Sequence, residues 1–355
     1  MKSYTAFPVF KTIPESYHLE SPVVSGDRFL WVQIHGTPEA GSPGVVHWFD
    51  LPEGGFSEDG LDLEINTVEL DEPCGAVIPT NQVDTVIVAK ERTFHLLNLS
   101  DKDVDVATLP QLATVIDDNP LVRLNDCRAG YDGKIYAGTM AYDCETPLGK
   151  WGVVDGNDFI PLIEGVKVSN GFGWTAEQTD DDGNAFRTLV YVDSKSGKVD
   201  THDDEANGVT ESSEIWSFRH YAGNKLGEKS VLTNITPVAE RQVSGCPVVA
   251  DGGCMAFDDD GSAYFVVAEY NGGAAHIVSV DSGDVVAEIK IPALKITSCC
   301  WAGKYLVFTS TREGIIDLSA EDLPADKHEK LAGGGNLFWL EIEGFHGADP
   351  DKVIL

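Results

Sequence analysis

Basic side chains are scarce in this chain. Lys and Arg number 25 against 58 Asp and Glu, a formal net charge of -33. A field of that sign repels phosphate backbones and anionic lipid surfaces, so nucleic acid and membranes are excluded as expected partners. Long apolar runs are also missing. No stretch approaches the roughly 18 uninterrupted apolar residues that cross a bilayer, and MKSYTAFPVF at the start has no sustained apolar core of a secretory signal. Cysteine is sparse: Cys74, Cys127, Cys144, Cys246, Cys254, Cys299 and Cys300 are odd in number and include no CxxC pair. That spacing supports neither a zinc knuckle nor a disulfide framework, so the expectation is reduced thiols in a cytoplasmic protein, with the sequons at Asn98 and Asn234 unused. Helical periodicity is absent as well. The best candidate, residues 318–331, is broken by Pro324 and reads as a loop with a helical turn.

What the chain does contain is 42% hydrophobic residues over 355 positions, enough for a large core, and 36 Gly to punctuate it. Short β-branched and aromatic runs bounded by Gly, Asp and Asn recur at residues 28–34, 85–91, 134–140, 188–194, 262–270 and 304–310, and each predicts a strand. Turn glycines at Gly26, Gly133, Gly183, Gly261 and Gly303, with Asn81 and Gln82 marking one further turn, divide the chain into six units. A period of about 40 to 55 residues with several strands per unit is what a β-propeller produces, because one small sheet cannot bury both faces until its neighbours stack around a ring. The expectation is an all-β, six-bladed propeller forming one domain over residues 1–355. The widest spacing holds an acidic loop insertion around residues 199–214.

In such a ring the inner strands all start at one end of the central channel, so the polar residues that open them converge. They are Glu20, Gly75, Asn125, Asn170, Asp251 and the pair Thr297 and Ser298. Two carboxylates plus an amide about an axis make a hard-oxygen cage suited to a divalent cation. The competing reading is structural: Asn170-Gly171 and Asp251-Gly252 would form ordinary turns in any hairpin. Other segments carry less. DDDGSAYFVVAE at 258–269 has Ala263 where a calcium loop needs Gly, TDDDGN at 179–184 is a hairpin turn, and Ser298 has no G-x-S-x-G context. His18 shares a strand face with Glu20 and reads as a structural histidine. The seven Trp read as packing between blades, with Trp174 and Trp301 alone considered for substrate stacking.

RLNDCRAGYDGKIYAGTM (123–140), SNGFGW (169–174), VYVDS (190–194), ADG (250–252) with DDDGSAYFVVAEYNGG (258–273), and GGGNLFWLEIEG (333–344) together resemble the family of regucalcin (senescence marker protein), gluconolactonase and luciferin-regenerating enzyme. The resemblance covers essentially residues 15–345, with the motifs in the family's order. It implies a six-bladed propeller with one catalytic divalent metal in the channel, acting on sugar lactones. Its metal ligands fall on Glu20 (ESP where the family has EGP), Asn170 and Asp251. Its substrate-contacting residues fall on Arg123 and Asn125, and a further acidic residue falls on Asp143. Ala250 stands where Pro is usual, Val24 where Trp is common, and AAHIV at 274–278 where a more basic strand is usual.

The chemistry so implied is the opening of an aldonolactone to an aldonic acid by metal-activated water, with Asp251 as proton acceptor and Arg123 and Asn125 holding the ring. Ca²⁺ is the first expectation for the ion, with Mn²⁺, Zn²⁺, Fe²⁺ and Mg²⁺ compatible with the same donors. The partner is a small sugar lactone; no obligate protein partner is evident. Two rivals stay open: a phosphotriesterase on the same scaffold, and a non-catalytic propeller that binds metal or protein partners.

Overall fold

The structure is a computed structural model, and it describes residues 1–12, 16–36, 42–101, 103–115, 119–196, 199–200, 210–211, 213–235, 248–312 and 332–355. Its strands form six antiparallel blades. From the channel outwards, blade 1 is Leu19–Ser25, Arg28–Gln33, Val45–Asp50 and Asn66–Glu69, and blade 2 is Cys74–Pro79, Thr85–Lys90, Thr93–Asn98 and Gln111–Thr114. Blade 3 is Val122–Ala129, Ile135–Ala141, Gly149–Asp155 and Asp158–Val166. Blade 4 runs Ser169–Trp174, Ala185–Asp193, Ser213–Tyr221 and Ser230–Ile235, and blade 5 runs Val249–Phe257, Ala263–Tyr270, Ala274–Ser279 and Val285–Lys290. Blade 6 takes Lys295–Ala302, Tyr305–Thr311 and Phe338–Glu341 from the end of the chain and Phe7–Pro8 from its beginning, which closes the ring. Lys2–Thr5 adds a parallel fifth strand to blade 5.

Each of the six predicted strand runs lies on a blade, and Gly26, Gly133, Gly183, Gly261 and Gly303 all take positive φ at hairpin turns. The insertion falls between the second and third strands of blade 4, but its two ends are not loop. Val199–Asp200 pairs with Thr210–Glu211, and Ser213 and Glu214 begin a strand. Residues 201–209, the 318–331 segment and Cys246 lie outside the described residues.

Stability is distributed around the ring. Six apolar clusters each fill one junction between neighbouring blades, for example Phe29, Trp31 and Phe49 against Val307 and Trp339 between blades 1 and 6, and Val190, Val192 and Ile215 against Phe265 and Val267 between blades 4 and 5. Every Trp packs in or against one of these clusters. Burying such a side chain contributes about 1.5–3 kcal/mol, and since a blade meets a neighbour on both faces, no blade is stable without the ring.

One junction carries a pH liability. His47 stacks on Trp31 with ring centroids 5.3 Å apart, neither ring nitrogen has a hydrogen-bond partner, and burial depresses its pKa to about 4. A histidine held neutral in the fold and free to protonate when unfolded leaves the unfolded chain binding more protons between its native pKa and about 6.5. Its contribution to stability is therefore complete above about pH 6.5 and is lost as pH falls towards 4, by up to about 3 kcal/mol. We expect His47→Phe to flatten this part of the stability profile in urea melts from pH 7 to 4; an unchanged slope would clear His47.

The inner strands share a further feature. All six shift register near their start, at Glu20/Val23, Cys74/Ala76, Leu124/Cys127, Ser169/Phe172, Ala250/Gly253 and Ile296/Ser298. A bulge adds one residue, increases the local twist and re-aims the side chains within it. The residues at or inside these six bulges include Glu20, Gly75, Asn125, Asn170, Asp251 and Thr297, the polar positions singled out from the sequence. Asn170-Gly171 and Asp251-Gly252 are consequently not hairpin turns; both lie inside strands.

The glycines there serve close approach between blades. A Cβ on Gly171 would run into the backbone N of Gly253 and come 2.8 Å from the carbonyl carbon of Gly252, while one on Gly252 would lie 2.7 Å from the carbonyl oxygen of Thr297.

Candidate functional site

The starts of the first strands and the ends of the second strands meet at one mouth of the channel around a cavity of about 430 Å³. Its lining includes Glu20 from blade 1, Arg123 and Asn125 from blade 3, Asn170 from blade 4 and Asp251 from blade 5. Five of the six residues proposed from the sequence are thereby brought together from across more than half the chain. Asp143 is not among the lining residues. It is exposed, and its carboxylate accepts from the Thr146 hydroxyl and from the backbone N–H groups of Thr146 and Glu145, which hold its pKa at about 2. Its visible work is to shape its own loop, which places Cys144 at the cavity with a positive φ of 57°.

A buried hydrogen-bond chain crosses two blade junctions. The Arg123 guanidinium donates to Asn125 Oδ1 (2.8 Å), Asn125 Nδ2 donates to Asn170 Oδ1 (2.8 Å) and to the Ser169 carbonyl (2.8 Å), and Asn170 Nδ2 donates to Ser194 Oγ (2.7 Å). This fixes the Asn170 amide with its oxygen on the Asn125 side, and an amide oxygen with one donor keeps a second lone pair. The VYVDS segment supplies the anchor. Asp193 accepts from the backbone N–H groups of Lys167 and Val168, just ahead of Ser169, and Ser194 holds Asn170. Ser213 Oγ, donating to the Ser194 carbonyl and accepting from Ala250 N, ties that anchor to the strand carrying Asp251.

The electrostatics are one-sided. Asp251 is 6% exposed, and its carboxyl is pushed well above the usual range, first by burial, then by the charges of Glu20 and Asp126, with Arg123 opposing. Asp126 is raised to about 6, again first by burial, with Arg128 lowering it and Glu20 raising it. His18 approaches Glu20, Nε2 to Oε1 3.6 Å. Three acidic groups thus crowd one low-dielectric channel with too little positive charge, and carboxylates in that state invite a cation. Among the described residues no three His, Cys, Asp or Glu side chains form a metal-binding group. Glu20, Asp251 and Asn170, which line one cavity, are the residues that could hold a cation, with two carboxylates and an amide oxygen as donors.

Sequence reasoning passed over several residues here. Asp126 follows Asn125 in the same bulge but lines a second cavity of about 160 Å³, as do Ser21, Trp174 and Trp301. Trp174 and Trp301 thus stand away from the mouth where Glu20, Asn170 and Asp251 meet, and their indole N–H groups donate to His220 Nδ1 and the Met255 carbonyl. Residues 348–351 also line this second cavity. They are held on one side by the His346–Phe257 bridge and on the other by hydrogen bonds of Val353 to Pro79 and Asn81. Ser194, Lys195 and Asn271 complete the first cavity, Asn271 with φ 69°. Asp126, Ser194 and Asn271 had a signal, lying within the 123–140, VYVDS and 258–273 motifs, while Lys195 had none.

A ring of six blades with bulged inner strands, which gathers polar side chains around a cavity at one channel mouth, defines a six-bladed β-propeller. The chain belongs to the SMP-30/Gluconolactonase/LRE-like family, whose model matches residues 20–312. It is 26% identical to a regucalcin of Xenopus laevis over 347 residues, covering 95% of each chain. In fold it resembles a luciferin-regenerating enzyme (TM-score 0.69, 17% identity, 99% of each chain) and a regucalcin from Agrobacterium tumefaciens described as a calcium-binding protein (TM-score 0.68, 19% identity, the whole of each chain). Membership of this family supports a lactonase-type function.

Proposed function

We propose that this protein is a metal-dependent hydrolase that opens sugar lactones to aldonic acids with water. The observation that carries the reading is the meeting of Glu20, Asn170 and Asp251 with Arg123 and Asn125 around one cavity, four of them on inner-strand bulges that serve no turn. Glu20, Asn170 and Asp251 would hold one divalent cation, Ca²⁺ first. When bound, such an ion polarises a carbonyl oxygen and acidifies water.

The remaining work falls to this chain's side chains. Asp251, on a carboxylate oxygen, receives the proton of the attacking water, and that proton leaves as the ring C–O bond breaks and the alkoxide is protonated. Arg123 supplies the hydrogen bonds that set the ring's orientation, and Asn125 holds Arg123 and Asn170 in register. The product carboxylate departs from a protein of net charge -33.

Among the described residues, six cysteines are free thiols and no helix is long and apolar enough to cross a membrane. The free thiols support placing the reaction in a reducing compartment, the cytoplasm.

Exhaustive chelation with EDTA is expected to lower lactone hydrolysis at least about 10³-fold, and one added divalent ion to restore it. A pH-indicator assay over a panel of aldonolactones and the five candidate ions reads both. Full turnover in chelated protein refutes the metal.

A further inference from the structure

We infer that Ser194 donates its hydroxyl hydrogen to the carbonyl oxygen of the lactone and stabilises the charge that gathers there as water adds; the inference rests on the lactonase reading above. Ser194 lines the cavity shared by Glu20, Asn170 and Asp251 and is 3% exposed. Its backbone is fixed on both sides. The N–H donates to the Val168 carbonyl (3.1 Å), just ahead of the strand that bears Asn170, and the carbonyl accepts from Ser213 Oγ (2.6 Å), which itself accepts from Ala250 N beside Asp251.

The argument is an account of hydrogens. A serine hydroxyl has one hydrogen to give and two lone pairs to receive with. Asn170 Nδ2 takes one lone pair of Ser194 Oγ at 2.7 Å, and among the described residues nothing accepts the hydroxyl hydrogen. The other side chain bonded to the Asn170 amide is Asn125, whose two Nδ2 hydrogens are spent on Asn170 Oδ1 and on the Ser169 carbonyl. Of these two neighbours of Asn170, Ser194 is therefore the one with a hydrogen left for a ligand. Accepting from an amide N–H also polarises the hydroxyl and makes it a stronger donor.

Place decides which ligand atom receives it. Arg123, His18, His35, Lys195, Tyr270 and Asn271 line the same cavity and can serve the hydroxyls of a sugar ring. Ser194 is one hydrogen bond from Asn170, so it stands at the end where Glu20, Asn170 and Asp251 meet and where the reacting carbonyl has to lie. Water adding to the carbonyl carbon gives its proton to Asp251 and leaves negative charge on the carbonyl oxygen; the charge returns to the carbonyl as the ring C–O bond breaks. A donor held ready by the fold strengthens as that charge develops. Ser194 is not the nucleophile, because its side-chain partner is an amide N–H, which cannot take its proton.

The test compares the parent with Ser194→Ala, Ser194→Thr and Ser194→Cys, at saturating levels of the ion that gives the highest turnover. In Ser194→Ala, kcat should fall about 10²-fold with KM within about threefold of the parent, and Ser194→Thr, which keeps the hydroxyl, should recover most of the loss. Should the Ala variant melt early, Ser194→Cys, of nearly the same shape and a weak donor, reads the same effect. Binding supplies a readout that needs no turnover: the lactam of the best aldonolactone keeps the carbonyl and resists hydrolysis, and the matching 1,5-anhydroalditol lacks it. For glucono-δ-lactone these are glucono-δ-lactam and 1,5-anhydroglucitol. Calorimetry should show Ser194→Ala weakening the lactam about fivefold and leaving the anhydroalditol unchanged, while the Kd of the ion rises less than about tenfold, since Asn125 still holds the Asn170 oxygen.

Parental kcat in Ser194→Ala, equal weakening of both analogues, or a kcat restored simply by more ion would overturn the inference while the lactonase stands. If the parent opens no lactone with any of the five ions, the lactonase reading itself falls, and this inference with it.

Discussion

Asp251→Asn is expected to abolish lactone hydrolysis, lowering kcat/KM at least about 10³-fold, while the metal-free protein melts at the same temperature as the parent or above it. The two halves of this result come from one property of the residue. Asp251 is a buried acid whose ionised form is opposed first by desolvation and then by the neighbouring charges of Glu20 and Asp126. Asn has the same shape and keeps an oxygen donor, but it removes a buried charge that the fold has to accommodate, so the scaffold gains or breaks even. What Asn cannot do is accept a proton from water or supply the second carboxylate that fixes a hard cation. A pH-indicator assay at saturating metal with a parallel calorimetric melt separates the effects. Normal turnover removes Asp251 from the mechanism, and a collapse of the melt would mean that the carboxylate is part of the scaffold.

The second large effect is expected from one methyl group. Gly171→Ala places its Cβ against the backbone of Gly252 and Gly253 on the neighbouring inner strand, and neither a rotamer change nor a flexible side chain can relieve backbone against backbone. Strands of blades 4 and 5 must separate, at a cost of about 3–5 kcal/mol. Because Asn170 and Asp251 sit one residue before the two glycines, the same movement pulls apart the proposed ligand pair. Apparent metal affinity and melting temperature should therefore fall together in Gly171→Ala, in contrast to Asp251→Asn, where metal affinity falls alone. Calorimetric titration of Ca²⁺ alongside urea melts reads both; a variant with parental stability would show that the inner strands tolerate more space than their contacts imply.

These two variants mark how far the residues could be read unaided. The six units, their turn glycines and the six positions opening the inner strands were all visible as pattern, because strand period, turn chemistry and repeat length are local properties of a chain. The bulges were not visible. A bulge is a mismatch between two strands, so the text SNGFGW reads equally well as a turn or as a strand until its partner at residues 185–193 is known.

The same limit explains Asp143, Trp174 and Trp301. Asp143 lies a few residues after GTM, and only the fold shows its carboxylate engaged with Thr146 and Glu145. Trp174 and Trp301 end inner strands whose starts hold the polar cluster, and the direction of a strand through the ring, not its composition, decides which cavity each end faces. Asp126 shows this at the scale of a single bond: adjacent to Asn125 and equally polar, it belongs to the other cavity.

By itself, then, the sequence determined the architecture, the number of blades and which six positions open the inner strands, since each depends on spacing along one chain. Only the tertiary structure decided which of those side chains meet, which hydrogen-bonding atoms they have left for a ligand, and which glycines are spacers and not turns. Those properties are set by contacts between strands tens to hundreds of residues apart, where a single displaced residue turns a side chain to the opposite face.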